Sequence, residues 1–115
     1  MKFEEMVTGL FKPGQEIADS IDENKANMLH ATIGISTEAG ELLDAIKKHV
    51  IYGKPLDMVN ITEELGDLEF YMEALRQILN INRQFTLEYN SNKLLARYPG
   101  YKYTDKAAQE RADKT

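Results

Sequence analysis

The chain has no cysteine, so a disulfide framework, a thiolate zinc site and a cysteine nucleophile are all excluded. Long apolar runs are missing too. No stretch approaches the roughly 18 residues of a membrane span, and MKFEEMVTGLF is too acidic for a signal peptide. The expected compartment is therefore the cytoplasm. A surplus of basic charge is also lacking: the formal net charge is -5, which argues against a nucleic-acid binder. An acidic protein still binds a polyanion when metal ions stand between the two. What is present is 115 residues, 43% hydrophobic and 29% charged, the size and composition of one ordinary globular domain spanning 1–115. So short a chain buries only about two-thirds of its unfolded surface, so any additional apolar helix face implies self-association.

No repeat or low-complexity tract interrupts the sequence, and no run alternates with period two, so the expected class is all-α. A short helix is predicted from Phe3 to Phe11, stopped by Pro13. Gly14 to Glu23 is ambiguous, with Asp22 a candidate cap for the helix that follows. That long helix runs from about Glu23 to Ile51, with Met28, Ala31, Ile35, Ala39, Leu42, Ile46 and Val50 along one face. Gly53 and Pro55 close it. A second long helix is expected from near Asp57 to about Asn82. Met58, Ile61, Leu65, Leu68, Met72, Leu75 and Leu79 step by three and four without a break. With so short a connection the two helices should pack as antiparallel neighbours in a helical bundle. A third helix, about Gln84 to Tyr98, ends at Pro99. The polar residues 101–115 form a peripheral tail, with a helical turn or two around Asp105 to Ala112.

Glu38 and Glu41 border the apolar stripe of the first long helix, and Glu64 and Asp67 border that of the second. Carboxylates three residues apart project side by side. Counted from the turn between the helices, the pairs lie at roughly 18 Å and roughly 13 Å, about one helical turn apart. Four carboxylates in one cleft repel unless cations neutralise them, and an all-oxygen set selects hard ions, Mg²⁺ when phosphates complete the shell. Spacing alone carries little weight, since Glu16/Asp19, Asp19/Asp22, Glu41/Asp44 and Glu110/Asp113 share it and commonly mark a solvated face. The chosen pairs differ in bordering the seam between neighbouring helices and in containing Gly40 and Gly66. A mid-helix glycine costs about 1 kcal/mol against alanine, which implies a packing or site reason.

HATIGISTEAGELLDAIKKHVIYGK followed by ITEELGDLEFYMEAL resembles the MazG-type pyrophosphohydrolase family, whose signature is EXXE, a spacer, then EXXD. Here these are Glu38-Ala39-Gly40-Glu41 and Glu64-Leu65-Gly66-Asp67, and NKLLARYPGYKYTDKAAQER is similar to the family's C-terminal signature. The resemblance covers the chain from His30 to the tail and implies a helical bundle assembled as a dimer or dimer of dimers. It implies Mg²⁺-dependent conversion of a nucleoside triphosphate to monophosphate and pyrophosphate, with Mn²⁺ as a possible substitute ion. Glu38, Glu41, Glu64 and Asp67 are then the metal ligands and catalytic groups; one of them, or Glu63, orients the water.

Lys48 shares the face of Glu41 and is a phosphate ligand or a surface lysine with a buried stem. Lys93 and Arg97, one turn apart, suit a phosphate clamp from the same or a neighbouring subunit. Asn92 reads a base or sugar, or is solvated. His30 and Tyr71 are candidates for nucleotide contact, with a surface histidine and a partly buried tyrosine as the bland readings; His49 is structural. Asp44 points away from the seam and receives no ligand role. A di-iron bundle would need Glu-x-x-His on two helices, and Asn27 and Ile46 stand where those glutamates belong. The remaining alternatives are a non-catalytic helical oligomer that binds metal or nucleotide, and a related all-helical pyrophosphatase. No membrane or nucleic-acid partner is expected.

Overall fold

The computed structural model describes residues 2–111, which contain six α-helices and no strand. Helix α1 covers Phe3–Leu10 and α2 covers Gly14–Ser20, so the ambiguous segment is mostly helical. The long helices are α3, Glu23–Val50, and α4, Met58–Leu79; α5 follows at Arg83–Arg97, then a 3₁₀ turn at Pro99–Tyr101 and α6 at Asp105–Glu110. The expected turn near Asp105 is thus present as α6; Ala112 lies outside the described residues.

Local chemistry sets these boundaries. The Asp22 carboxylate accepts from the Lys25 N–H at 2.8 Å, and the Asp57 carboxylate from the Asn60 N–H at 3.0 Å, each capping the start of a long helix. Helix α4 stops before Asn82, because Asn80 turns left-handed (φ 56°) and ends the ladder. Asn82 instead caps α5, accepting from the N–H groups of Gln84 and Phe85. Between α3 and α4, Gly53 adopts φ 67°. The His49 Nδ1–H donates to the Lys54 carbonyl at 2.7 Å, which gives that histidine the structural role expected of it.

The main packing is α3 against α4. Residues 27–31 face residues 70–78, Gly34 meets Tyr71, and Glu38 approaches Glu64, so the pairing descends along α4 as it ascends along α3. Gly34 sets this register: it is buried, and a Cβ there would overlap the Tyr71 ring. Gly40 and Gly66 are different. A Cβ on either meets nothing within 4 Å, so the packing reason expected for them is not supplied by the described residues.

Very little of this architecture is interior. Among the described residues, Ala31 and Ala45 are the buried apolar side chains, while Ile35, Leu42, Leu68 and Met72 of the seam are half-buried. The radius of gyration is 19.9 Å, against about 13 Å for a compact domain of this length. Among the described residues no helix is long and apolar enough to cross a membrane.

The Gly34–Tyr71 contact makes a first prediction. Gly34→Ala gains helix propensity worth about 1 kcal/mol but overpacks the seam at a typical cost of about 1–3 kcal/mol. A lower urea midpoint than wild type, or one that is at best unchanged, is expected; a clear rise would show that Tyr71 does not hold the register.

Candidate metal and nucleotide site

Glu38 and Glu41 leave α3 one turn apart, and Glu64 leaves the facing side of α4. In the Gly34–Tyr71 register, Glu64 stands level with Glu41 and Asp67 with Glu38, so the offset of about one turn expected from helix lengths is taken up by the connection at 51–57. Carboxylate oxygens of Glu38, Glu41 and Glu64 all lie within 4.8 Å of one another. Asp67 is exposed and stands outside this trio.

The trio is electrostatically unsatisfied. Glu64 is 7% exposed. The Oε2 atoms of Glu38 and Glu64 are buried with no hydrogen-bond partner. The Glu38 carboxyl against it, then burial, then Glu41 push the Glu64 carboxyl from an ordinary 4.5 up to about 7. No lysine or arginine salt bridge to these three is found among the described residues. Orphaned carboxylate oxygens converging at this spacing fit a hard divalent cation, which would supply the missing positive charge.

Around the trio lie the other candidates. Lys48 Nζ pairs with the Asp44 carboxylate at 3.0 Å on the exposed side of α3. This pairing also accounts for Asp44 without a ligand role. His30 and Tyr71 stand close, with ring centroids 6.1 Å apart, and both line a groove of about 320 Å³ between the first half of α3 and the second half of α4. Asn27, Phe70, Ala74 and Gln77 complete much of its wall. Phe70 meets Tyr71 edge-on at 5.2 Å. Sequence reading does not single out Phe70 or Gln77 as site residues; the steps from Tyr71 to Ala74 and Gln77, three residues each, were the available signal.

Asn92, Lys93 and Arg97 lie on α5, which packs on the 3₁₀ turn and α6. Lys93 and Arg97 are half-buried, Asn92 is exposed, and the Arg97 guanidinium lies 5.9 Å from the Tyr98 ring centroid. These residues are grouped in the C-terminal unit, and α5 is not one of the principal packing partners of α3 or α4 in its own chain.

A family model, the MazG nucleotide pyrophosphohydrolase domain, matches residues 27–101. The match covers α3 from Asn27 onward, all of α4 and α5, the carboxylate trio and the groove, and the chain belongs to this family. Comparison with curated proteins and with solved structures gave no match.

The raised Glu64 carboxyl fixes a pH dependence. Its proton is held more tightly folded than unfolded, so its contribution to stability is complete below about pH 4.5 and is lost as pH rises through about 7. In EDTA the melting temperature should carry a falling component between pH 5 and 8; excess Mg²⁺ should restore stability at the high end. Glu64→Gln should flatten the EDTA profile and abolish the Mg²⁺ response. An EDTA profile of Glu64→Gln identical to that of wild type would remove Glu64 as the titrating group.

Proposed function

We propose that this chain hydrolyses a nucleoside triphosphate, ribo- or deoxy-, to the monophosphate and pyrophosphate at the cleft between α3 and α4. The observation that carries the reading is the convergence of Glu38, Glu41 and Glu64, with two orphaned oxygens, in a chain of the MazG family. Mg²⁺, or Mn²⁺ in its place, would be held by these three and by Asp67 one turn beyond Glu64. A bound divalent ion supplies charge neutralisation of the polyphosphate and a water of lowered pKa.

The side chains divide the remaining work. The trio would hold the cation that faces the phosphates, and one of the carboxylates or Glu63 takes the proton of the water that attacks the α-phosphorus. Lys48 leaves its exposed pair with Asp44, an interaction worth little at a solvated surface, to meet the leaving pyrophosphate. Lys93 and Arg97 add a phosphate clamp from a neighbouring copy, with Asn92 beside them for sugar or base. The base lies in the His30–Tyr71 groove. On this reading the active unit is an antiparallel helical bundle assembled from two or four copies, working on free nucleotides in the cytoplasm.

The exposed position of Asp67 keeps a second reading alive: a helical oligomer that binds metal or nucleotide without turnover. Pyrophosphate release from a panel of ribo- and deoxynucleoside triphosphates, with Mg²⁺ and with EDTA, separates the two. Metal-dependent release is expected, and Glu41→Ala or Asp67→Ala should reduce it by about 10²-fold or more, the scale of losing one group that stabilises transition-state charge. Wild-type rates in either variant would sink the site. Mg²⁺ binding without turnover of any nucleotide in the panel would favour the second reading.

A further inference from the structure

Trio and groove lie on the same side of the helix pair: Asn27, His30, Gly34, Glu38 and Glu41 share one face of α3, and Glu64, Tyr71 and Ala74 share one face of α4. In the Gly34–Tyr71 register, Asn27 and Gln77 are level to within one residue, at the end of the groove remote from the trio. Passing away from the trio, a ligand meets the rings of Tyr71 and His30 first and the two side-chain amides after them. A nucleotide with its phosphates at the trio therefore presents the far edge of its base to those amides. That edge carries the C4 substituent of a pyrimidine or the C6 substituent of a purine. It is an amino group in cytosine and adenine, and an oxo group in uracil and hypoxanthine.

The two amides differ in freedom. Asn27 is exposed and its side chain has no hydrogen-bond partner among the described residues, so it can offer either an N–H or a carbonyl. Gln77 cannot. Its Nε2–H donates to Glu73 Oε2 at 3.0 Å, while the Arg76 Nε–H donates to Glu73 Oε1 at 3.0 Å. The Gln77 amide, then Arg76, hold the Glu73 carboxyl below its ordinary value, so it stays ionised and only accepts. Turning the Gln77 amide over would set its carbonyl oxygen against a carboxylate oxygen. That oxygen is therefore the group Gln77 has left to offer the groove it lines. We propose that Gln77, oriented by Glu73, makes the groove select bases with an exocyclic amino group, cytosine over uracil and adenine over hypoxanthine. This selection rests on the base occupying the His30–Tyr71 groove. An amino group donates to the Gln77 oxygen, whereas an oxo group meets it acceptor to acceptor. Gln77 is exposed, so water replaces part of the lost interaction and the discrimination is that of one hydrogen bond, about 10-fold. Glu73 touches no base; it is a positioning residue.

Steady-state pyrophosphate release by the full chain with Mg²⁺, on CTP against UTP and ATP against ITP, should give kcat/KM about 10-fold higher for the amino member of each pair. Gln77→Ala should bring both ratios close to one. Glu73→Gln should lower them as well, because a glutamine there both donates and accepts and lets the Gln77 amide turn over. A merely structural role of Glu73 would change the rates and leave the ratios alone. Ratios near one in wild type, or wild-type ratios in Gln77→Ala, overturn the proposal; wild-type ratios in Glu73→Gln overturn the orienting role of Glu73. Calorimetric titration of the full chain with CMP and UMP separates base selection from catalysis. Tighter binding of CMP without turnover of any triphosphate sinks the hydrolysis and supports the selection. Turnover with equal CMP and UMP affinities and equal kcat/KM sinks the selection alone, and neither binding nor turnover sinks both.

Discussion

The seating of the Tyr71 ring against Gly34 is the contact on which the rest of the α3–α4 pair depends. Two long helices can slide past one another by whole turns with little change in apolar contact, because their stripes repeat every three or four residues. A ring occupying the space of a missing Cβ removes that freedom. It places residues 27–31 opposite 70–78, which opens the groove. It also sets Glu64 level with Glu41, which closes the carboxylate trio. Groove and trio are therefore two consequences of one register.

The trio is held together against its own charge. Among the described residues no lysine or arginine pairs with Glu38, Glu41 or Glu64, and a proton retained on Glu64 towards neutral pH relieves their repulsion. Carboxylates arranged this way cost stability while they are charged together, and either a retained proton or a cation of opposite charge relieves that cost. On the proposed function, the same arrangement would let a chain of net charge -5 face a triphosphate through a bound cation.

A hairpin this thin contributes little interior. Ala31 and Ala45 are the buried apolar residues among those described, while Leu43, Val50, Phe70 and the α1 face stand open. For a chain of 115 residues, a radius of gyration of 19.9 Å describes helices spread over a surface rather than gathered round a core. Among the described residues, the periodic apolar positions of α1 and the space at Gly40 and Gly66 meet little of the rest of the chain.

The long helices, the Asp22 cap and the candidate carboxylates are legible in the residues themselves, because each depends on neighbours within about four positions; the segment that forms α2 reads as ambiguous, and the capping role of Asn82 is not evident from the sequence. Asp22 and Asp57 cap where short polar residues precede apolar periodicity, and Glu38/Glu41 and Glu64/Asp67 stand out by flanking the two stripes. The expected end of α4 ran past Leu79, since the left-handed turn at Asn80 leaves only a weak mark in composition. That Glu38, Glu41 and Glu64 converge while Asp67 stands apart, that Phe70 and Gln77 join His30 and Tyr71 around a groove, and that α5 groups its basic residues with the C-terminal turn were decided by tertiary structure. Each depends on the rotation and register of one helix against another. For α3 and α4 these are set by a contact between residues 34 and 71, and for α5 by its packing on the 3₁₀ turn and α6; the first pair lies too far apart along the chain for any local pattern to record.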